Sequence, residues 1–213
     1  MNFRDILLQS AENSPREREF NLESTIVDTV FSSNFTPIKT ENIWRLAVDF
    51  FPEKRNTSFK LLGGVLLVDA YLDYDNYWSN EINERKLILI EALDSIAKKI
   101  CKEYDLPYDH FKEAKERSIE QGLKYANYWG RSMKSPDNKF SAGIFMELDV
   151  NVSAIEVHFK DLKTKELIKK ILVNPKPDYM FFDRYLGKSF WDEEGYFCLV
   201  SKDKKTVLKS RPE

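Results

Sequence analysis

Glycine, cysteine and histidine are all scarce in this chain of 213 residues, which holds 7 Gly, 2 Cys and 2 His. The glycines Gly63, Gly64, Gly122, Gly130, Gly143, Gly187 and Gly195 are too dispersed to assemble a phosphate-cradling loop, which needs several closely spaced backbone N–H groups. Gly187-Lys188-Ser189 supplies the second half of a Walker loop, but Phe182 stands where the first glycine belongs. Cys101 and Cys198 form no CxxC pair, which excludes a disulfide framework and a zinc knuckle, and both read as small core residues. His110 follows Asp109 at a helix start and has no nucleophile at recognisable spacing, so no Ser-His-Asp or Cys-His arrangement is written here. No cofactor is implied.

Long apolar runs and a dominant charge are also missing. The longest apolar stretch, Val65 to Val68, falls far short of the roughly 18 residues a membrane-spanning helix needs. Ile6, Leu7 and Leu8 are too few for the apolar region of a secretory signal, so a cytoplasmic location is expected, with no membrane partner. Lys and Arg number 33 against 35 Asp and Glu, a formal net charge of -2, which excludes a highly basic nucleic-acid binder. What the chain does have is apolar and aromatic substance: 42% hydrophobic residues, with 15 Phe, 10 Tyr and 4 Trp, enough to bury a core.

Residues 1–20 read as an N-terminal arm or linker, because Ser14-Pro15-Arg16-Glu17-Arg18-Glu19 is charged and broken by proline. Residues 21–138 read as a helical region. Ile43, Trp44, Leu46, Ala47, Phe50 and Phe51 follow Thr40-Glu41-Asn42 at helical spacing and predict a helix that Pro52 stops. The apolar pattern from Gly64 to Trp78 outlasts an ordinary strand and predicts a second helix. Leu89, Leu93, Ile96 and Ile100 form the stripe of a third, over 83–104. Asp105-Leu106-Pro107 starts a fourth, carried by Phe111, Ala114, Ser118, Gly122, Tyr125 and Trp129.

The polar stretch 130–138 marks a boundary, and beyond it the period becomes 2. Phe140, Ala142, Ile144, Met146, Leu148 and Val150 alternate with polar or small residues, and Val157 and Phe159 continue the pattern. A loop over 151–154 would pair Asp149 with Glu156, Leu148 with Val157, Glu147 with His158 and Met146 with Phe159. Further strands are expected within Leu167 to Val173 and in a closing hairpin of Tyr196 to Val200 and Thr206 to Leu208. The expected class is α+β: a helical N-terminal half packed on a mostly antiparallel sheet formed by residues 139–213, the whole being two regions or one compact domain. The first 138 residues hold 23 acidic and 19 basic groups and the remainder 12 and 14, a split too small to name a partner.

Three groups of side chains carry chemistry. Asp69, Asp73, Tyr74, Asp75, Tyr77 and Trp78 would form an acidic-aromatic ridge on a helix, with Asp69 and Asp73 one turn apart. Acids steer a basic partner and aromatics supply desolvated contact, so this ridge suits a protein partner with a basic surface. Its plainer reading is a helix with core tyrosines and solubilising acids. Glu147, Asp149, Glu156, His158 and Lys160 would share one face of a hairpin, where carboxylates could hold a divalent cation beside an amine, as a metal-dependent phosphodiesterase requires. Nucleases of that kind with Glu-x-Lys on a strand would need Lys at position 158, and the competing reading is a solvated sheet face of cross-strand pairs. Tyr179, Phe181, Phe182, Tyr185, Phe190 and Trp191 bracket Arg184 and Lys188, a composition that fits a stacking platform or a satellite core.

These features favour a non-catalytic protein-binding module, in concrete form a bacterial-type immunity protein that covers the active site of a toxin through its acidic-aromatic surface. The alternatives are a metal-dependent phosphodiester hydrolase using Glu147, Asp149, Glu156 and Lys160, with no resident metal assigned, and a scaffold or regulatory subunit using the aromatic group of Tyr179 to Trp191.

Overall fold

The computed structural model describes residues 1–11, 15–174 and 184–212, and the chain divides into two compact units, Met1–Lys124 and Tyr125–Glu213. Both contain sheet, so the α+β class holds, but the first is mixed strand and helix instead of the expected helical half.

The first unit begins with β1 (Asn2–Phe3), β2 (Asp5–Ser10) and α1 (Glu17–Asn34), so the expected arm is largely ordered structure. It continues through β3 (Ile38–Lys39), β4 (Arg45–Phe51), β5 (Ser58–Leu62), β6 (Val65–Tyr71), α2 (Tyr74–Ser79), α3 (Ile82–Tyr104) and α4 (Asp109–Glu120). β1 and β3 form a small antiparallel ribbon. The main sheet has the order β2-β4-β6-β5, in which β2, β4 and β6 are parallel and β5 is antiparallel to β6.

Two expected helices are therefore strands. Strands buried in a parallel sheet lose the polar alternation of a half-exposed one. In β4 and β6, Leu46, Val48, Phe50, Leu66, Val68 and Ala70 enter the core, while Ala47, Val65 and Leu67 fill alternate positions with further apolar groups. The β5–β6 turn is Gly63-Gly64, both with positive φ, at 58° and 86°, as a two-residue hairpin of the primed type requires. A Cβ on Gly64 would lie 2.5 Å from the Trp44 ring, so glycine is also needed there for space.

The core lies between one face of this sheet and the helices. Phe20, Val27 and Phe31 of α1, Leu89, Leu93 and Ile96 of α3, and Phe111 of α4 cluster with Ile6, Leu8, Val48, Phe50 and Val68. α3 opens with a reciprocal capping box of Glu81 and Glu84 and ends at Asp105 in the left-handed conformation, φ 52°.

The second unit is a meander of β7 (Tyr125–Lys134), β8 (Phe140–Asp149), β9 (Val152–Asp161) and β10 (Leu167–Val173), in the order β10-β9-β8-β7, all antiparallel. A three-stranded antiparallel sheet follows, made of β11 (Lys188–Trp191), β12 (Phe197–Val200) and β13 (Val207–Ser210). The fourth expected helix stops at Glu120, and Tyr125 and Trp129 belong to β7. β7 also runs through the polar stretch taken as the boundary between halves, as far as Lys134. Ile144, Met146 and Leu148 of β8 and Ile155, Val157 and Phe159 of β9 are buried on one side of the sheet, and Phe197, Cys198 and Leu199 of β12 are also buried. Among the described residues no helix is long and apolar enough to cross a membrane.

Candidate functional site

In the first unit the residues expected on one helical ridge are divided between a strand and a short helix. Asp69 is on β6, in register with Asp49 of β4 on one side and Ser58 of β5 on the other. Alternation puts Asp49 and Asp69 on the sheet face away from the helices, since Val48, Phe50, Val68 and Ala70 fill the core face. Gln9 donates to Asp49 at 2.5 Å, whereas Asp69 has no cationic partner among the described residues. Asp73 is the N-cap of α2, accepting from the Asn76 N–H at 3.0 Å, and Asp75 follows in the first turn, where the positive end of the helix dipole favours it. Both acids are exposed.

The aromatics between them are not surface anchors. Tyr77 has no exposed surface and donates to Glu23 at 2.5 Å, while Tyr74 is 7% exposed and donates to Ser10 at 2.8 Å. Trp78 packs against the core beneath two guanidinium groups, Arg16 at 3.7 Å and Arg85 at 5.2 Å from ring centroids. Arg85 pairs with Glu23 and, at 2.9 Å, with Glu19. Burial, reinforced by the Glu23 charge, pushes the Tyr77 hydroxyl far above its ordinary pKa. This segment thus exposes Asp73 and Asp75, buries Tyr74 and Tyr77, and leaves Trp78 half-buried.

In the second unit, β8 and β9 join through the two-residue turn Val150-Asn151, so Asp149 opposes Val152, Glu147 opposes Ala154, Phe145 opposes Glu156, and Gly143 opposes His158. Relative to the expected pairing, each residue meets a partner four positions earlier. An even slip preserves the faces, so Glu147, Asp149, Glu156, His158 and Lys160 still share the outer side. The acids are nevertheless spread along it, and among the described residues no three His, Cys, Asp or Glu side chains converge on a position for a metal ion.

What the face does bring together is a hydrogen-bonded chain that sequence reasoning missed. His158 is 4% exposed; its Nε2 lies 2.7 Å from Glu156 Oε2 and its Nδ1 2.8 Å from Tyr128 Oη. A carboxylate can only accept, so Nε2 carries a proton, and in the neutral imidazole Nδ1 accepts from the tyrosine hydroxyl. Phe145 stacks on the imidazole at 4.6 Å with 18° between planes. A cavity of about 340 Å³ opens beside this chain, lined among others by Tyr128, Ser132, Ser141, Gly143, His158 and Lys160.

A bulge makes the space. Between the pairs Trp129 with Ile144 and Met133 with Ala142, the three residues Gly130, Arg131 and Ser132 of β7 face the single residue Gly143 of β8. Gly130 turns the chain at φ 69°, which costs a side-chain-bearing residue far more. The sequence signal for this site was the alternation that placed Glu156 and His158 on one face of the hairpin. Tyr128 stayed hidden because its segment had been assigned to a helix.

His110, the two cysteines and Trp191 make structural contacts. His110 Nδ1 lies 2.9 Å from the Thr36 carbonyl, and the ring packs against Phe35. Both thiols are buried, and burial alone pushes Cys101 up to about 11, so neither is a ready nucleophile. Tyr179, Phe181 and Phe182 lie outside the described residues. Trp191 donates to the Met133 carbonyl at 3.0 Å and packs on Phe159 and Phe197, as a satellite core does. Comparison of the chain with protein-family models, curated proteins and solved structures gives no match in any of the three.

Proposed function

We propose that the protein is a non-catalytic binding module whose first unit presents an acidic edge to a basic protein partner. The observation that carries this reading is the uncompensated row on β4 and β6: Asp49 and Asp69 stand side by side, and no cation of the described chain pairs with Asp69. Like charges in directly opposed positions are destabilising, and a cation supplied by a partner removes that cost. Asp73 and Asp75 follow just past the end of β6, exposed in the first turn of α2, with the buried Tyr74 and Tyr77 anchoring that turn. The first unit as a whole has 22 acidic against 17 basic residues, a formal -5, which strengthens steering of a basic surface.

In its specific form the proposal is an immunity-type protein of bacterial origin, acting in the cytoplasm, whose acids cover the basic cleft of a toxin directed at nucleic acid. The test is the triple substitution Asp69→Ala, Asp73→Ala and Asp75→Ala, with the fold checked by circular dichroism. Association with the captured partner is expected to slow about tenfold or more at low ionic strength and to lose most of its salt dependence. An unchanged association rate would overturn the assignment of this surface.

A further inference from the structure

The cavity beside His158 is separate in chemistry from the acidic edge. No carboxylate lines it: Glu156 lies behind the imidazole, with one oxygen 2.7 Å from Nε2. Its polar wall consists of the Lys160 amine and the Ser132 and Ser141 hydroxyls, none of which has a hydrogen-bond or ion-pair partner among the described residues. The Tyr128 ring and Leu167, 57% and 46% exposed, supply an apolar side. At about 340 Å³ the space falls within the range of small-ligand pockets, at its lower end. Two independent features open it, the three-residue bulge in β7 and the missing side chain at Gly143.

We propose that this cavity is a proton-linked binding site for a small oxyanion-bearing ligand with a planar or apolar body, held by Lys160 and by the hydroxyls of Tyr128, Ser132 and Ser141. The linkage follows from the hydrogen-bond chain. With neutral His158, the Tyr128 proton points inward to Nδ1 and the phenol oxygen offers an oxyanion only lone pairs. When Nδ1 takes a proton from solvent, it becomes a donor to the Tyr128 oxygen, and the phenol O–H is free to turn outward and donate to the anion. Anion binding and proton uptake therefore favour each other, by thermodynamic reciprocity. The charged or titratable groups around His158 are Tyr128 on β7, Glu156 and Lys160 on β9, and Lys169, which pairs with it from β10; β8 contributes only Ser141, Gly143 and Phe145 nearby. Glu156 balances the imidazolium, and the two lysines add to the field that draws an anion.

Benzenesulfonate is the direct probe because its charge does not change over the working pH range. Calorimetric titration of the full chain is expected to give affinity several-fold tighter at about pH 6 than at about pH 8, and no binding of the cation benzamidine. Lys160→Ala should weaken benzenesulfonate binding about tenfold or more. Gly143→Ala places a Cβ 3.4 Å from the Tyr128 ring, a contact the fold tolerates, and should abolish binding by filling the floor of the cavity. Tyr128→Phe removes the hydroxyl that couples the ligand to His158, so its affinities at about pH 6 and about pH 8 should become alike. Phenyl phosphate and benzoate, compared at about pH 8, distinguish a phosphate from a carboxylate ligand by which binds tighter. Equal binding of benzamidine, or parent-like binding by both Lys160→Ala and Gly143→Ala, would overturn the site. A pH-independent affinity in the parent chain would overturn the proton linkage.

Discussion

Glu23 has no exposed surface, and its charge is held in the interior by two donors, the Arg85 guanidinium and the Tyr77 hydroxyl. Removing one member of a buried ion pair leaves the other unpaired, so Arg85→Ala is expected to cost about 3–5 kcal/mol in urea unfolding. A loss under about 1 kcal/mol would mean that solvent screens the pair. Asp28 behaves oppositely. It is 5% exposed, and burial pushes its carboxyl well above the usual carboxylate range, although the Leu8 N–H donates to it at 3.2 Å. Because the folded-state pKa lies above the unfolded one, the stability Asp28 contributes is complete below the unfolded pKa and is lost as pH rises through the folded value. Asp28→Asn keeps an acceptor for Leu8 and removes that loss, so its melting temperature relative to the parent should rise as pH passes from the unfolded to the folded pKa of Asp28 and level off above it. A constant offset across pH would contradict this account.

At the scale of elements, α3 is specified locally, with its apolar stripe, its capping box and a left-handed terminator. Asp105, at the end of α3, holds a left-handed conformation that glycine adopts more easily, and Asp105→Gly is expected to raise stability by about 0.5–1 kcal/mol in thermal unfolding. The same helix was legible in the sequence for the same reason: Leu89, Leu93, Ile96 and Ile100 repeat at its period. α1 was not, because Glu23, Ser24 and Asp28 occupy buried positions and break the apolar stripe that Phe20, Val27 and Phe31 would otherwise draw. β4 and β6 misled in the other direction, since apolar residues at many of their alternate positions, such as Ala47, Val65 and Leu67, blur the period of 2 and Gly63-Gly64 conceals a hairpin. The alternation of β8 and β9 was read correctly, and the tighter turn changed which residues meet without changing faces. The candidate sites fared accordingly. Glu156 and His158 were found on one face, while Tyr128, which completes their chain from β7, could be placed only once the bulged pairing of that strand was known.

The whole molecule divides its charge by unit. The first carries a formal -5, and the second, with 13 acidic and 16 basic residues, a formal +3, so the overall -2 is the sum of two units of opposite formal charge. Overall balance thus understates the field that each unit can present to a partner. The measurement that tests the binding-module account most directly is capture of partners by the tagged full chain from cells of its source, at low and at moderate salt, read by mass spectrometry. The account predicts one stoichiometric basic protein, released as salt rises and not retained by the Asp69→Ala, Asp73→Ala, Asp75→Ala variant. Absence of any stoichiometric partner at low salt, or equal retention by that variant, would contradict it.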